Sequence, residues 1–448
     1  MKTKILFPTL LTLAFITVGD AQTLENAKLD QFFDRLAEKR KAMGSLAIVK
    51  DGKVLYARAI GYSQIDGTEG KPLTTATRFR IGSITKMFTT TMILQLVEEG
   101  KLKMTDTLDQ FFPQIPNAGR ITIAQILSHR SGIPNVRRER DAQIKVSTIP
   151  MGKEEMLALI VKGTPDFEPD TKHHYSNSGY LVLGLILEKV TGKPYERALE
   201  ERITSKIGLK DTYLTTGNID VSKNEALTYI HLGGDWKTVS ETHPTILFSA
   251  GAIVSTPGDM AKFIQALFEG KLVSRDSLDR MKTMRDGEGV GMATFTFAGK
   301  TFYGHTGGAD NYGAWLAYEP EEKLVIAYTT NAKIYPVVNI VRGVAEIYYH
   351  KPFAIPALEG IVVNPEVLDK YVGVYLASDA PAKAVVTRDG STLFFQPPGA
   401  SSTAVPLEAT AEDKFQLEGA AVFAFDAAKN QMTVKRRNGA ERVFTKEK

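Results

Sequence analysis

Apolar and polar residues alternate with different periods along this chain of 448 residues. Residues 24–42 carry apolar side chains at helical spacing, and two alternating runs flank Asp51-Gly52, a dipeptide typical of a tight hairpin turn. A short strand-like run at residues 79–81 then leads into a long apolar stretch, which predicts a helix that ends near Gly100. The pattern therefore predicts a helix, a hairpin and a second helix in the first hundred residues.

The middle of the chain has a different pattern from the regions on either side. Residues 105–216 are mostly helical in pattern, and strand-like alternation returns at 295–328 before a helix around 338–348. Strands that enclose a helical middle predict one shared sheet, with helices on its faces and a second, helical lobe. The expected fold class is therefore α/β (α+β), with a functional site in the cleft between the two lobes.

The composition changes at residues 350–356, which include two prolines and indicate a linker. Short strand-like runs separated by turn residues follow at 371–375, 383–387, 393–396, 415–417, 422–425 and 432–435. These runs predict a small antiparallel β-barrel of the lipocalin-like kind. We expect a main domain at 22–350, a linker at 351–364 and a barrel domain at 365–448.

The first 21 residues have the pattern of a secretory signal peptide. Lys2 and Lys4 precede an apolar stretch at 5–18, which is followed by the small residues Gly19 and Ala21. We therefore expect an exported protein, periplasmic or secreted, with a buried N-terminal helix as the alternative. No other stretch has the roughly 18 uninterrupted apolar residues that a membrane helix needs. The absence of cysteine excludes disulfides and a thiol nucleophile.

Charge and the remaining motifs exclude several classes of protein. The net charge is only +4, and the densest basic cluster, at residues 137–140, contains an acid and no aromatic residue, so we expect no nucleic-acid partner. The histidines lack the spacing of a zinc site, and no glycine-rich phosphate loop occurs. No Gly-x-Ser-x-Gly elbow is present, which argues against an α/β-hydrolase. We expect neither a metal nor a cofactor.

Ser83-Ile84-Thr85-Lys86 places a hydroxyl and an amine one turn apart at the start of a predicted helix. A lysine amine that is desolvated or close to another cation can take the proton of a serine. The helix N-terminus favours both the neutral amine and a developing oxyanion. Such a spacing occurs about once by chance in a chain of this length, so a serine cap with a surface lysine is the alternative.

Two further motifs follow in the chain: Tyr175-Ser176-Asn177 and His305-Thr306-Gly307-Gly308. A serine with lysine, then Tyr-x-Asn, then a basic residue followed by Thr-Gly, resembles the serine β-lactamase and penicillin-binding-protein superfamily. The tyrosine indicates the branch related to class C β-lactamases, which includes D-aminopeptidases, D-Ala-D-Ala carboxypeptidases and esterases. The resemblance covers residues 24–350 and implies a two-lobed β-lactamase/transpeptidase-like domain with a mainly antiparallel sheet.

The resemblance also implies a role for each motif residue. Ser83 is expected to be the nucleophile, Lys86 its base, and Tyr175 a proton relay between Ser83 and the leaving group. The Asn177 amide is expected to hold the acyl-side carbonyl of the substrate and Lys86. Tyr175 as a core residue and Asn177 as a helix cap are the alternatives.

The His305 motif is expected to bind the substrate. Thr306, Gly307 and Gly308 follow on a strand edge, where the glycines leave room for the substrate. The resemblance implies an oxyanion hole made from the N–H groups of Ser83 and Gly308.

His305, His129 and Asp170 lie in or beside these motifs. His305 stands where most class C β-lactamases have lysine. We expect His305 to change charge near its reference pKa of about 6.5, and so to make recognition of a carboxylate depend on pH. A buried structural histidine is the alternative. His129 is expected to support the fold beside the site, and the effect of Asp170, where the family often has glycine, stays open.

The sequence therefore predicts an exported serine hydrolase that forms an acyl-enzyme on Ser83. Peptides of the cell-wall type that contain D-amino acids are the first expected substrates, small esters the second and β-lactams the third. A catalytically silent protein that binds or senses muropeptides is the alternative from another class. Substrate, hydrolysis against acyl transfer, oligomeric state and the purpose of the barrel stay open.

Overall fold

The computed structural model describes residues 24–447 apart from 68, 136–147, 233–234, 359, 361–362, 390–391, 399–403, 418–419 and 437. The predicted signal peptide at 1–21 and the basic cluster at 137–140 lie outside the described residues.

The main part has runs of strands near both of its ends and a mostly helical middle. The α-helices are α1 (Asn26–Glu38), α2 (Thr85–Glu98), α3 (Ile123–Leu127), α4 (Lys153–Lys162), α5 (Asn177–Thr191), α6 (Tyr195–Leu199), α7 (Ser205–Ile207), α8 (Pro244–Gly251), α9 (Pro257–Phe268), α10 (Arg275–Lys282) and α11 (Val337–Tyr348). The strands are β1 (Met43–Lys50), β2 (Lys53–Ile60), β3 (Tyr62–Asp66), β4 (Glu69–Pro72), β5 (Phe79–Arg80), β6 (Tyr213–Leu214), β7 (Tyr229–Leu232), β8 (Asp235–Thr238), β9 (Ile253–Ser255), β10 (Ala293–Phe297), β11 (Lys300–Ala309), β12 (Tyr312–Glu319) and β13 (Leu324–Ala332).

One antiparallel sheet joins the two ends of this part, as the sequence predicts. Its strand order is β10-β11-β12-β13-β1-β2, so β1 pairs with both β2 and β13. The predicted hairpin turn is present, and its residues Asp51 and Gly52 have positive φ values of 45° and 78°. This conformation suits a two-residue turn between twisted strands.

The two faces of the sheet have separate hydrophobic cores. Helix α1 buries Leu29, Phe32, Phe33 and Leu36, a stripe at helical spacing, against the face that α11 also covers. The other face packs on a larger core that contains α2, α5 and α9. Helix α2 is buried on all sides from residue 85 to 96, although half of these twelve residues are polar. The cleft between sheet and helical lobe therefore begins at the N-terminus of a buried, rigid helix.

The C-terminal part is a closed antiparallel barrel of eight strands. They are β14 (Gly373–Ala377), β15 (Lys383–Asp389), β16 (Thr392–Gln396), β17 (Val405–Ala409), β18 (Lys414–Leu417), β19 (Ala421–Asp426), β20 (Gln431–Arg436) and β21 (Glu441–Lys446), preceded by α12 (Pro365–Leu368). Pairing of β14 with β21 closes the barrel. The sequence predicts a barrel correctly but misses β17 and β21.

The segment that joins the two parts packs against the main domain. The ring of Phe353 lies 5.1 Å from that of Phe32, and Leu358 is buried with residues of α1 and α11. Val363 is buried in the barrel core instead. An ion pair between Lys41 and Glu408 also connects the main part with the barrel. The domain boundaries at 350 and 365 stay a prediction.

Within the described part of the chain, no helix is both long enough and apolar enough to cross a membrane.

Candidate active site

The Ser83 motif lies where the sequence places it, at the N-terminal end of a helix. Ser83 belongs to a 3₁₀ turn, Gly82–Ile84, which continues directly into α2. Ser83 is partly exposed, whereas Lys86 in the first turn of α2 is fully buried. The hydroxyl therefore faces the cleft and the amine lies beneath it.

Three acceptors surround the amine of Lys86. Its Nζ atom donates hydrogen bonds to Ser83 Oγ at 3.1 Å, to Asn177 Oδ1 at 2.8 Å and to the backbone oxygen of Ala250 at 2.9 Å. A neutral amine has two N–H donors, which Asn177 and Ala250 would take, and its lone pair would then face the Ser83 hydroxyl. This geometry suits a base that takes the serine proton.

Asn177 is free to bind Lys86 because another residue caps its helix. Ser176 is the N-cap of α5, and its hydroxyl accepts a hydrogen bond from the N–H of Gly179 at 3.2 Å. The alternative reading of Asn177 as the cap is therefore wrong, since Ser176 has that role. The Tyr-Ser-Asn order thus places a capping residue between two residues that face the cleft.

Tyr175 lies over the Lys86 amine, with 4.7 Å between Nζ and the centre of the ring. The His129 ring packs against the same tyrosine, with 4.3 Å between the ring centres. His129 Nδ1 accepts a hydrogen bond from the backbone N–H of Ser176 at 3.1 Å, so its proton is on Nε2. Burial and the nearby Lys86 hold the pKa of His129 well below its usual value. A neutral, buried His129 therefore packs against Tyr175, in line with the expectation that it supports the fold beside the site.

Strand β11 has a free edge beside Ser83. Strand β10 pairs only with residues 300–304 of β11, so residues 305–309 have no partner on that side among the described strands. A Cβ atom added to Gly82 would lie 2.5 Å from Gly308 N, and one added to Gly307 would lie 1.9 Å from Ile81 O. Only glycines let these two backbones come so close, and this contact brings Gly308 next to the nucleophile turn.

His305 differs from the expectation drawn from its sequence position. It is 8% exposed, and its Nδ1 atom donates to the carbonyl oxygen of Thr306, which leaves Nε2 without a proton in the neutral ring. Burial and then the Lys86 charge lower the pKa of His305 to about 4. The expectation of a charge change between pH 6 and 8 is therefore wrong, because no carboxylate among the described residues offsets the burial of this ring. Its ring centre lies 6.4 Å from that of Tyr175.

The structure does not place every residue of the His305 motif in contact with the other motifs. The carbonyl oxygen of Thr306 accepts a hydrogen bond from His305, and a role for the Thr306 hydroxyl in substrate binding stays a prediction.

Asp170 stands at a position where the resemblance implies that glycine is common. Its φ is +65°, a left-handed conformation that glycine adopts easily and aspartate tolerates. Arg130 holds it by donating from Nε to the Asp170 carboxylate at 2.6 Å and from a terminal nitrogen to the Asp170 carbonyl at 2.8 Å. Arg285 also donates to the carboxylate at 2.8 Å, and Arg130 pairs with Asp286. Arg130, followed by Arg285, holds the pKa of Asp170 below its usual value.

The motif search from sequence missed these partners and the carbonyl of Ala250. Ala250 lies in α8, where Phe248 interrupts the helical geometry with φ 35° and ψ −130°. A backbone carbonyl carries no signature in its side chain, so sequence alone offers no signal for it. The described residues contain no group of His, Asp and Glu that could hold a metal ion.

Comparisons with known proteins identify the family of this chain. The beta-lactamase family matches residues 29–344. Penicillin-binding protein 4* of Bacillus subtilis is 25% identical over 453 residues, which cover 93% of this chain and 98% of that protein. The D-alanyl-D-alanine-carboxypeptidase/endopeptidase AmpH of Escherichia coli is 25% identical over 80% of this chain and 100% of its own length.

A solved structure extends the comparison to three dimensions. D-amino acid amidase from Ochrobactrum anthropi SV3, complexed with D-phenylalanine, has a TM-score of 0.63 and 26% identity, over 72% of this chain and 99% of the amidase. The fold and the family match define a serine hydrolase of the β-lactamase and D-peptidase type. The chain belongs to the beta-lactamase family.

Proposed function

We propose that this protein hydrolyses amide bonds of D-amino-acid-containing peptides through an acyl-enzyme on Ser83. The observation that carries this proposal is the Lys86 amine, held 3.1 Å from Ser83 Oγ by Asn177 and Ala250. A serine hydroxyl needs such a base before it can attack a carbonyl.

The residues suggest an order of proton transfers. Lys86 takes the Ser83 proton while Oγ forms a bond to the substrate carbonyl carbon, and the oxyanion is held by the N–H groups of Ser83 and Gly308. The amide C–N bond then breaks, and Tyr175 passes a proton to the leaving amine. Water adds to the acyl-enzyme through the same groups in reverse and releases the acid and free Ser83.

The free edge of β11 supports an extended substrate. Residues 305–309 can pair with the backbone of a peptide that lies along the cleft. The uncharged His305 offers no cation to a carboxylate at neutral pH, so the site favours amides and internal peptide bonds over substrates with a free carboxylate there. D-amino acids are proposed because relatives of this chain are named for D-alanyl-D-alanine and D-amino acid substrates.

The other candidates from the sequence have less support. Small esters fit the same chemistry and stay second, and β-lactams stay third because most carry a carboxylate. The complete network of Ser83, Lys86 and Asn177 argues against a catalytically silent binding protein. Export to the periplasm or the medium is part of the proposal and rests on the sequence of residues 1–21.

A labelling experiment tests the proposal. Intact-mass spectrometry with a fluorophosphonate is expected to show one adduct on the wild type and none on Ser83→Ala. Ser274→Ala is the matched control, because Ser274 also stands at a helix N-terminus, as the cap of α10. Cleavage of D-alanyl amides but not of their L-alanyl counterparts would support the substrate class. An adduct that persists in Ser83→Ala would contradict the proposal.

A further inference from the structure

The close contact between Gly82 and Gly308 has no side chain of its own to hold it. Both backbones belong to segments that reach the cleft from different parts of the fold: Ser83 follows β5, and Gly308 lies near the turn between β11 and β12. Any change in their separation would change the distance between the N–H groups of Ser83 and Gly308. Something outside the two glycines must therefore fix it.

Thr242 is bonded to both segments. Arg80, three residues before Ser83, donates from its guanidinium to the backbone oxygen of Thr242 at 2.8 Å. On its other side, Thr242 donates its backbone N–H to Asp310 Oδ2 at 2.9 Å and its hydroxyl to Asp310 Oδ1 at 2.7 Å. Asp310 is two residues after Gly308, so hydrogen bonds through Arg80, Thr242 and Asp310 connect the two segments.

The hydrogen bonds that join Arg80, Thr242 and Asp310 involve charged side chains and are therefore strong. The side chain of Arg80 is fully buried, and it also meets Glu241 Oε2 at 3.0 Å and the backbone oxygen of Gly217 at 3.3 Å. Thr242 is 5% exposed and donates a hydrogen bond to each oxygen of the Asp310 carboxylate. Hydrogen bonds to an ionised group are about twice as strong as those between neutral groups. The Asp310 turn, which has a positive φ of 51°, is thus tied to a rigid part of the fold.

We propose that Thr242 and Asp310 are positioning residues that set the separation between the N–H groups of Ser83 and Gly308. The inference rests on the proposed function, because it assumes that these two groups hold the oxyanion. Neither residue is placed at the substrate; they act through the backbone of the β11–β12 turn. Donors in an oxyanion hole work only at hydrogen-bond distance from the developing charge, so a small displacement of Gly308 should slow acylation.

Three variants test the tether, the name we give to the hydrogen bonds between Thr242 and Asp310. Thr242→Val removes the hydroxyl at nearly constant shape, Asp310→Asn removes the charge, and Thr242→Ser keeps the hydroxyl. We expect kcat for an ester substrate to fall roughly 10- to 100-fold in the first two variants. This decrease is no larger than the decrease that follows removal of one oxyanion donor. We expect KM to change little, and Thr242→Ser to keep most of the wild-type rate.

Thr212→Val is the matched control. Thr212 is also 5% exposed, and its hydroxyl also meets a buried carboxylate, Asp259 Oδ2, at 3.1 Å. Thr212 directly precedes β6, and its described side-chain hydrogen bonds go to Ser255 and Asp259, with none to the β11–β12 turn. A general loss of stability would affect both threonine variants, whereas a tether effect would appear only at Thr242.

A pair of substrates reports on the hole itself. An ester and its thionoester differ only in whether oxygen or sulfur occupies the oxyanion position, and sulfur is the poorer acceptor. The wild-type preference for the oxygen ester should fall at least about threefold in Thr242→Val and Asp310→Asn, and should stay constant in Thr212→Val. An unchanged preference in both tether variants, or a loss in Thr242→Ser as large as in Thr242→Val, would overturn the inference. A wild type that forms no fluorophosphonate adduct on Ser83 would instead overturn the proposed function.

Discussion

Asn177 Oδ1 lies 2.8 Å from Lys86 Nζ, so an amide oxygen from the helical lobe fixes the amine beneath Ser83. The amide is neutral and accepts one hydrogen bond from either the ammonium or the free amine. It can therefore orient Lys86 without favouring the charged form as a carboxylate would.

Asn177→Asp should show the value of this neutral partner. A carboxylate at the same distance would stabilise the ammonium of Lys86 and withhold the base. We expect kcat/KM to fall at least about tenfold at pH 7, and the rise of the pH–rate profile to move to higher pH. The profile of Asn364→Asp, a helix cap outside the cleft, should match the wild type. A profile that keeps its midpoint in Asn177→Asp would contradict this role.

Removal of either proton-transfer group should have a larger effect. Lys86→Ala and Tyr175→Phe are each expected to reduce turnover at least roughly a hundredfold, as for loss of a positioned base or acid. Steady-state turnover of an ester and of a D-alanyl amide measures this. If the ester tolerates Tyr175→Phe better than the amide, Tyr175 acts mainly on the amine leaving group. Normal turnover of both substrates would mean that another group carries the proton.

The neutral state of His305 leads to a prediction opposite to the one from its reference pKa. The pKa of His305 is lowered to about 4, so its charge stays constant between pH 6 and 8. We expect the ratio of kcat/KM for a carboxylate substrate to that for its neutral amide to be flat over this range. His305→Lys should raise the ratio by adding a cation. A ratio in the wild type that rises steadily from pH 8 to pH 6 would show that His305 becomes charged in this range.

Much of the site was predictable because its residues carry their chemistry in their side chains. Ser83, Lys86 and Asn177 meet as their motifs predict. The charge state of His305 was not predictable, since it depends on burial and on Lys86 across the cleft. The Ala250 carbonyl and the Thr242 tether come together only through the tertiary fold, so no local pattern reveals them.

The fold shows the same division between local and non-local information. The hairpin at Asp51 follows from two residues, and helix α1 from its apolar stripe. In the barrel, β17 contains Pro406, a residue that is rare inside strands, and Pro406 pairs with Phe394 only in the folded barrel. Strand β21 is rich in charged residues and gains its place only by closing the barrel on β14.

Glu241 should make the stability of the protein depend on pH. Burial raises its pKa to about 7, against the opposing effect of Arg80, while Asp310 and Glu225 add to the rise. The unfolded chain loses this proton near pH 4.5 and the folded chain near 7, so the stabilisation is complete below pH 4.5 and is lost as pH rises to 7. Glu241→Gln should remove this loss. We expect the free energy of unfolding in urea to fall by about 1–3 kcal/mol more in the wild type than in the variant from pH 4.5 to 7. Equal falls would show that Glu241 is already ionised in the folded protein at low pH.

Two truncations should distinguish the contribution of the barrel from that of the segment that joins it to the main domain. Phe353 packs on Phe32, and Leu358 is 4% exposed between α1 and α11, so both residues of the predicted linker pack against the main domain. A chain that ends at residue 360 keeps these contacts and should fold and form the Ser83 adduct, since the described link to the barrel is the ion pair of Lys41 with Glu408.

A chain that ends at 350 loses the apolar contacts of Phe353 and Leu358 and should be less stable by about 2–5 kcal/mol. Thermal unfolding and fluorophosphonate labelling of the two chains measure this difference, with Phe353→Ala in the full chain as the control for the loss of packing. If the chain that ends at 360 is insoluble or unreactive, the barrel is part of the core of the hydrolase domain and the predicted boundary is wrong.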